Sequence, residues 1–350
     1  MNSNGQLLSR LSSSLLPPWL RWSGPFLALS YGLGLRVHRG LAKPQYAPIA
    51  TLCIGNLTVG GTGKTPATKY FARGLAERGR KPAALLRGYK EQSIDEAVEI
   101  TRALSDLNVP VIIGADRLNS ARQAREQGCD VAVLDDGFQH WRLARDLDIV
   151  LVDATQPFSD GHLAPWGRLR EQPESLARAG VVIITRADAI TKEELTKLEK
   201  DVRKYAPQTV LAKARHAPIT LRACNGNQAA LPLEKLKGLP VSAVCGVGNP
   251  SGFFHTLRQA GANTLQATIF DDHCEYDARE IASRLIPQAQ KIGASAIVVT
   301  EKDAVKLEPL LTGISFPILA LSVRFEIFEG EAALWDAVEH ALTRSAQRLG

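Results

Sequence analysis

Residues 55–66 read GNLTVGGTGKTP. Gly60, Gly61 and Gly63 lead directly into Lys64 and Thr65. Glycines carry no Cβ, so their backbone N–H groups can turn inward and approach phosphate oxygens closely. A lysine at this spacing reaches the β- and γ-phosphates of a nucleotide, and the hydroxyl after it can ligate Mg2+. The apolar run from Ile49 to Ile54 reads as a strand, and a helix is expected from about Thr65 to Arg78. This strand–loop–helix order sets the positive end of a helix dipole on the phosphates. Thr58, Gly60, Gly61, Thr62, Gly63, Lys64 and Thr65 are the expected nucleotide-binding set. Two positions depart from the commonest form of such a loop. Thr58 stands where a glycine is usual, and Val59 stands where the dimerising ATPases carry a second lysine. The second departure argues against that class.

Outward from the loop, short apolar strands alternate with helical segments. One strand is expected to end at Leu86, and others to cover 110–113, 131–134, 148–153 and 181–185, with helices at 95–108 and 117–127. Such alternation implies a parallel sheet covered on both faces. A second block begins near Leu239, with strands at 295–300 and 316–323 and helices at 252–260 and 277–292. The segment 214–238 is rich in Pro, Asn and short polar residues, as a linker would be. The expected fold is α/β. A P-loop NTPase-like parallel-sheet domain covers 46–213, a smaller α/β domain covers 239–350, and a helical segment covers 1–45. A cleft between two such domains suits an enzyme with two substrates.

The 350 residues are 45% hydrophobic and 22% charged, which is ordinary for a chain with a sizeable core. Five scattered cysteines, without a C-x-x-C pair, fit a reducing compartment. The net charge is +6 and is unevenly placed. No Asp or Glu precedes Glu77, whereas Arg10, Arg21, Arg36, Arg39, Lys43, Lys64, Lys69 and Arg73 all do. A segment of this kind suits an anionic partner. Within it, Trp19, Trp22, Phe26 and Tyr31 are amphipathic rings of the sort found at headgroup level, followed by Arg36, His38 and Arg39. The apolar run from Pro25 to Leu35 is shorter than the ~20 residues of a simple span, and no secretory cleavage site follows it. It reads as an interfacial helix on a cytoplasmic membrane face, with packing on the core as the alternative.

The stretch VAVLDDGFQH, 131–140, ends a buried strand in Asp135 and Asp136. A carboxylate at a strand tip beside a phosphate loop is where Mg2+ takes its protein ligand. Asp135 is the expected ligand together with Thr65. Asp136 would hold a metal-bound water or a neighbouring base, and a helix N-cap is the structural alternative.

Taken together, GNLTVGGTGKTP, RGY at Arg87, DDGFQH at Asp135, APWGRLRE at Ala164, GVGNPSGF at Gly246, FDDHCEY at Phe270 and TEKDAVKL at Thr300 resemble the tetraacyldisaccharide 4'-kinase family, the lipid A 4'-kinases of Gram-negative bacteria. On this resemblance Thr58 is the family's own form of the loop. The resemblance implies ATP and Mg2+ as cosubstrates and the 4'-hydroxyl of an acylated glucosamine disaccharide 1-phosphate as acceptor. It implies association with anionic lipid at the cytoplasmic face of the inner membrane through the N-terminal helix, and no nucleic-acid partner. The family's proposed base is the aspartate of a G-D-E-P motif, paired with the histidine of a D-H motif. Carried over, these are Asp95 and His273, which join Lys64 and Asp136 as the expected catalytic set. Ile94 and Ala97 replace the motif's glycine and proline, and RGYKEQSIDEAVEI is shorter than the family's glycine-rich loop. A charged first helical turn is the alternative for Asp95. A metal cluster at 271–275 is set aside, because adjacent residues on an extended segment point in opposite directions. Arg117, His140, Arg168 and Arg170 are candidate acceptor contacts. Their alternatives are a helix-start arginine, a loop cap and solvated surface arginines.

Two rival classes are weighed against the kinase. VIITRAD places Thr185 to Asp188 where a GTPase or metallochaperone-type switch reads guanine with N-K-x-D, although Thr and Arg replace Asn and Lys. A membrane-bound adaptor ATPase without a small-molecule acceptor is the other.

Overall fold

In the computed structural model, residues 18–88, 92–225, 230–272 and 274–350 are described. Helix α1 is Gly24–Leu41, β1 is Ala50–Asn56, α2 is Lys64–Glu77, β2 is Pro82–Leu86 and α3 is Gln92–Ala103. Then come β3 (Val111–Ile113), α4 (Arg117–Glu126), β4 (Val131–Asp135), β5 (Leu147–Asp153), β6 (Val181–Thr185), α5 (Lys192–Tyr205) and β7 (Val210–Ala223). The remainder holds β8 (Pro240–Cys245), α6 (Pro250–Gln259), β9 (Asn263–Ile269), β10 (Ala296–Thr300), α7 (Glu301–Leu307), β11 (Ile318–Glu329) and α8 (Glu331–Leu349).

β1 is buried along its whole length, so its alternating side chains must satisfy two faces. Leu52 and Ile54 share a cluster with Phe71 and Leu75 of α2 and with Leu334, Trp335 and Val338 of α8. Cys53 joins Val150 and Val152 of β5 and Leu198 and Val202 of α5 on the other face. This double cover is the expected consequence of a near-continuous apolar strand.

One twelve-stranded sheet runs through the whole molecule in the order β9-β8-β10-β11-β7-β6-β5-β1-β4-β2-β3, with the two-residue strand Ala230–Leu231 paired to β7. All neighbours from β3 to β7 are parallel, as are those from β9 to β11, but β7 and β11 are antiparallel. The start of β7 pairs with β6 (Val181 opposite Val210), and the start of β11 pairs with β10 (Ile297 opposite Ile318). Across the ribbon Leu319 lies opposite Ala223, and Glu329 opposite Lys213. The carboxyl ends of the strands in the two halves therefore point toward each other. Open α/β sheets bind ligands beyond those ends. Here two such edges face one cleft.

The expected linker at 214–238 is corrected by this topology. Residues 214–223 lie inside β7, where Ala212, Ala214 and His216 are buried at every second position. Pro218 and the interleaved polar residues disguised a period of two. The segment 277–292, expected as one helix, instead has a π turn at Ile281–Leu285 between the helical pieces Ala278–Glu280 and Ile286–Lys291.

α1 lies almost bare on the surface. Leu29 is 73% exposed, Phe26, Leu33, Val37 and Leu41 are also exposed, and Trp22 in the turn just before the helix is 81% exposed. Only Gly24 and Ala28 of the helix are buried. A Cβ on Gly24 would lie 2.6 Å from the Trp166 ring, so this edge seats α1 on the 162–169 loop. Among the described residues no helix is long and apolar enough to cross a membrane.

Candidate active site

The loop between β1 and α2 curls at the junction of the two halves. Gly60 and Gly63 have φ of 122° and 95°, where side chains with a Cβ are strained. The loop's acceptors are tied from outside. Asn56 Nδ2 donates to the Thr58 carbonyl (2.7 Å), Arg186 to that of Gly61 (3.0 Å), and Thr185 Oγ1 to that of Thr62 (3.0 Å). With carbonyls held outward, the concave side favours an anion. Gly60 to Thr65 line a cleft of about 1410 Å³ that extends to α3, β11 and the loops of the second half. Lys64 Nζ lies 3.3 Å from Asn56 Oδ1 and 3.7 Å from Asp136 Oδ1.

Thr58 and Arg168 stand elsewhere than expected. Thr58 bridges to Leu169 and faces a small space behind the loop with Asp153 and Gln156, away from the main cleft. Arg168 lines that same space. Its carbonyl accepts from Val59 N–H at 2.7 Å, and its Nε donates back to the Val59 carbonyl at 3.2 Å. Both residues brace the loop from behind.

β4 delivers the two carboxylates into contrasting surroundings. Asp135 is 5% exposed and accepts from Thr68 Oγ1 at 3.1 Å. The buried Arg117 donates to its backbone carbonyl at 2.7 Å. Burial pushes the Asp135 carboxyl up, against the pull of Lys64. Asp136 has a left-handed φ of 52° and takes both oxygens to Arg170, at 2.7 and 2.8 Å. Burial would raise Asp136 too, but Lys64 and Arg170 outweigh it and hold the group well below its usual range. Among the described residues no three His, Cys, Asp or Glu side chains gather closely enough to hold a metal. Mg2+ needs only one or two protein oxygens and fills its shell with water and phosphate. Asp135 and Thr65 both line the cleft and are the oxygens that could hold it.

Asp95 lies in α3, but its side chain is outside the described residues, and so is His273. The next residue, Glu96, lines the cleft and went unsingled in the sequence because its motif pointed to Asp95. Burial first, then the Asp135 charge, push Glu96 up to about 7, with Lys302 and Lys64 opposing. An unfolded glutamate titrates near ~4.3, so between the two values the folded state binds more protons and stability falls as pH rises. Glu96→Gln is expected to flatten the fall in melting temperature between about pH 5 and pH 7. An unchanged slope would remove Glu96 as its source.

His140 is half-buried; burial, then Arg117, Arg87 and Arg145, lower it to about 4, leaving a neutral imidazole among arginines. His216, hidden by the linker reading, is buried beneath the phosphate loop. Its Nε2 lies 2.8 Å from where a Cβ on Gly63 would stand. Burial, then the charges of Arg186 and Lys69, hold it well below its usual range. From the second half, Gly248 presses on the same loop, and a Cβ there would lie 2.4 Å from Gly61 N.

A family model described as tetraacyldisaccharide-1-P 4'-kinase matches residues 21–343. The chain belongs to the tetraacyldisaccharide-1-P 4'-kinase family. The tetraacyldisaccharide 4'-kinase of Anaeromyxobacter dehalogenans is 39% identical over 317 residues, covering 84% of this chain and 82% of its own. That of Halothermothrix orenii is 35% identical over 294 residues, 76% of each chain. In fold, this kinase is similar to the LpxK of Aquifex aeolicus solved in complex with ATP. The TM-score is 0.67 at 24% identity, covering 92% of this chain and 99% of that one. The reaction of the kinase is phosphorylation of the 4'-hydroxyl of the tetraacylated disaccharide of lipid A biosynthesis. Family membership disfavours the switch and adaptor readings.

Proposed function

We propose that the kinase draws its phosphoryl group from ATP with Mg2+, in the cleft between the two halves, at the cytoplasmic face of the bacterial inner membrane. The observation that carries this reading is the convergence of Lys64, Asp135, Asp136 and Glu96 on one phosphate loop. Thr65 and Asp135 would hold Mg2+, which would supply charge neutralisation to the transferring phosphoryl group. Lys64, resting between Asn56 and Asp136, supplies positive charge to the transferring group. Arg170 keeps Asp136 ionised and oriented beside it. Asp95 takes the proton of the sugar hydroxyl, with His273 as its orienting partner. His140, half-buried among arginines, is the candidate acceptor contact of this region, while Arg117, 1% exposed, braces the tip of β4 through the Asp135 carbonyl. The exposed apolar face of α1, flanked by Arg36 and Arg39, lies at the headgroup level of anionic lipid.

The test is ADP release with and without tetraacyldisaccharide 1-phosphate in mixed micelles. Release is expected to depend on the acceptor. Asp95→Ala is expected to lose turnover by about 10²- to 10⁴-fold with ATP affinity kept. An unimpaired rate in that variant removes Asp95 from the role, and acceptor-independent ADP release contradicts the kinase mechanism.

A further inference from the structure

Arg186, which follows β6, connects three parts of the molecule. Its φ of 52° turns the chain sharply out of the strand. Its guanidinium donates to the Asp153 carboxylate at the end of β5, and its second amine reaches the Gly61 carbonyl at 3.0 Å. Asp153 is 5% exposed and, besides the N–H and hydroxyl of Thr155, accepts a donor from across the cleft, Asn249 Nδ2 at 2.7 Å. The other end of the Asn249 amide caps α6, accepting Gly252 N–H at 3.0 Å. A Cβ on Gly252 would lie 2.4 Å from Arg186 Nε, so the arginine is packed under the start of that helix. Two residues on, Asp188 accepts from Gln259 and lies 3.1 Å from His255 Nε2, both on α6. The segment 185–188 sits where guanine-selective proteins read their base, yet both of its charged side chains here are engaged by the protein itself.

We propose that Arg186, Asp153 and Asn249 are positioning residues that aim the phosphate loop, so that the loop takes its binding geometry only when the second half is seated on it. The physical reason lies in the rigid peptide plane. Fixing the Gly61 carbonyl from Arg186 and the Thr62 carbonyl from Thr185 sets the orientation of the next two N–H groups. Charge-assisted bonds of this kind are the strong ones, and the carboxylate here takes donors from both halves, Arg186 and Thr155 from the first and Asn249 from the second. The inference rests on the phosphoryl-transfer reading only for its rate readout. Nucleotide binding tests it without any acceptor.

The experiment measures affinity for a fluorescent ATP analogue and the KM values for ATP and the lipid disaccharide, on the full chain. Asn249→Asp keeps an acceptor for the α6 cap but replaces the donor facing Asp153 with a second carboxylate. It is expected to weaken nucleotide binding about tenfold and leave the disaccharide KM unchanged. Arg186→Ala is expected to lose as much, and Arg186→Lys, which keeps a cationic donor for Asp153, to lose less. Affinity within about twofold of the parent in Asn249→Asp overturns the proposal, as does an equal rise in both KM values, which marks general damage. If Arg186→Ala does not fold, Asn249→Asp decides alone. If the parent binds nucleotide but does not phosphorylate the disaccharide, the kinase mechanism fails while the affinity series still judges the positioning role.

Discussion

Lys64→Ala is expected to cut turnover by about 10²- to 10³-fold while the protein remains folded, the scale seen when one preorganised charge-stabilising donor is removed. The ammonium stands between Asn56 and Asp136 at the mouth of the loop, with its side chain only 15% exposed. Its removal has two effects of the same sign. The transferring group loses a cation in a site partly screened from water, where charge interactions are strong. Asp135 also loses the cation that opposes its burial, so its carboxyl moves further up, away from the charged form that the proposed Mg2+ would need. The helix itself survives, because α2 is held by Phe71 and Leu75 in the core. Lys64→Arg is not expected to rescue the rate, since a planar fork cannot stand in for a compact point charge in this space. Steady-state rates beside a thermal melt decide the matter. A parent-like kcat in Lys64→Ala sinks the assignment.

Gly248→Ala is the second large effect. Its added methyl would lie 2.4 Å from Gly61 N and 2.9 Å from both Gly60 Cα and Asp272 Oδ2. Two of these neighbours are backbone atoms of the phosphate loop, which cannot swing aside as a side chain can. The loops must part instead. Overpacking of this sort costs about 1–3 kcal/mol of stability. A displacement on the order of 1 Å near the chemistry costs about 10²-fold in rate. Activity and nucleotide affinity should therefore collapse far more than stability does. Calorimetric titration of ATP into the folded variant gives the answer, and an affinity close to the parent's would falsify the tight apposition of the two loops.

Both predictions depend on features of different legibility. The strand, loop and helix from Ala50 to Glu77 were readable because their signals are local: an apolar run, three glycines and a lysine in fixed order. β2 ends at Leu86 and β6 spans 181–185 as expected, since each is a short apolar run bounded by polar residues. α5 carried a readable signal that went unused, the capping box of Thr191 and Glu194. β7 was unreadable for a physical reason. Half of its side chains face polar surroundings, Pro218 interrupts it, and its partner β11 lies about a hundred residues away. His216 was lost with it. Thr58 and Arg168 matched a pattern by position, but a position on the loop does not say which side of the loop a side chain takes. Arg186 and Asn249 meet at Asp153 from segments remote in sequence, so only the folded chain shows them as partners.

The ribbon of β7 and β11 gives the cleft a particular mechanics. Each strand belongs to both halves at once, over 14 and 12 residues. Two lobes joined by a flexible tether can swing apart like a door, but lobes that share two hydrogen-bonded strands move as the ends of a torsion bar. Wringing the bar turns both cleft edges together, in opposite senses and by linked amounts. The ladder slips register at two places, between Ser322 and Val323, opposite Pro218, whose ring nitrogen has no hydrogen to donate, and between Ile327 and Glu329. Any relative motion of the two halves must therefore pass through this ribbon as twist, most easily at the two places where its ladder is already broken.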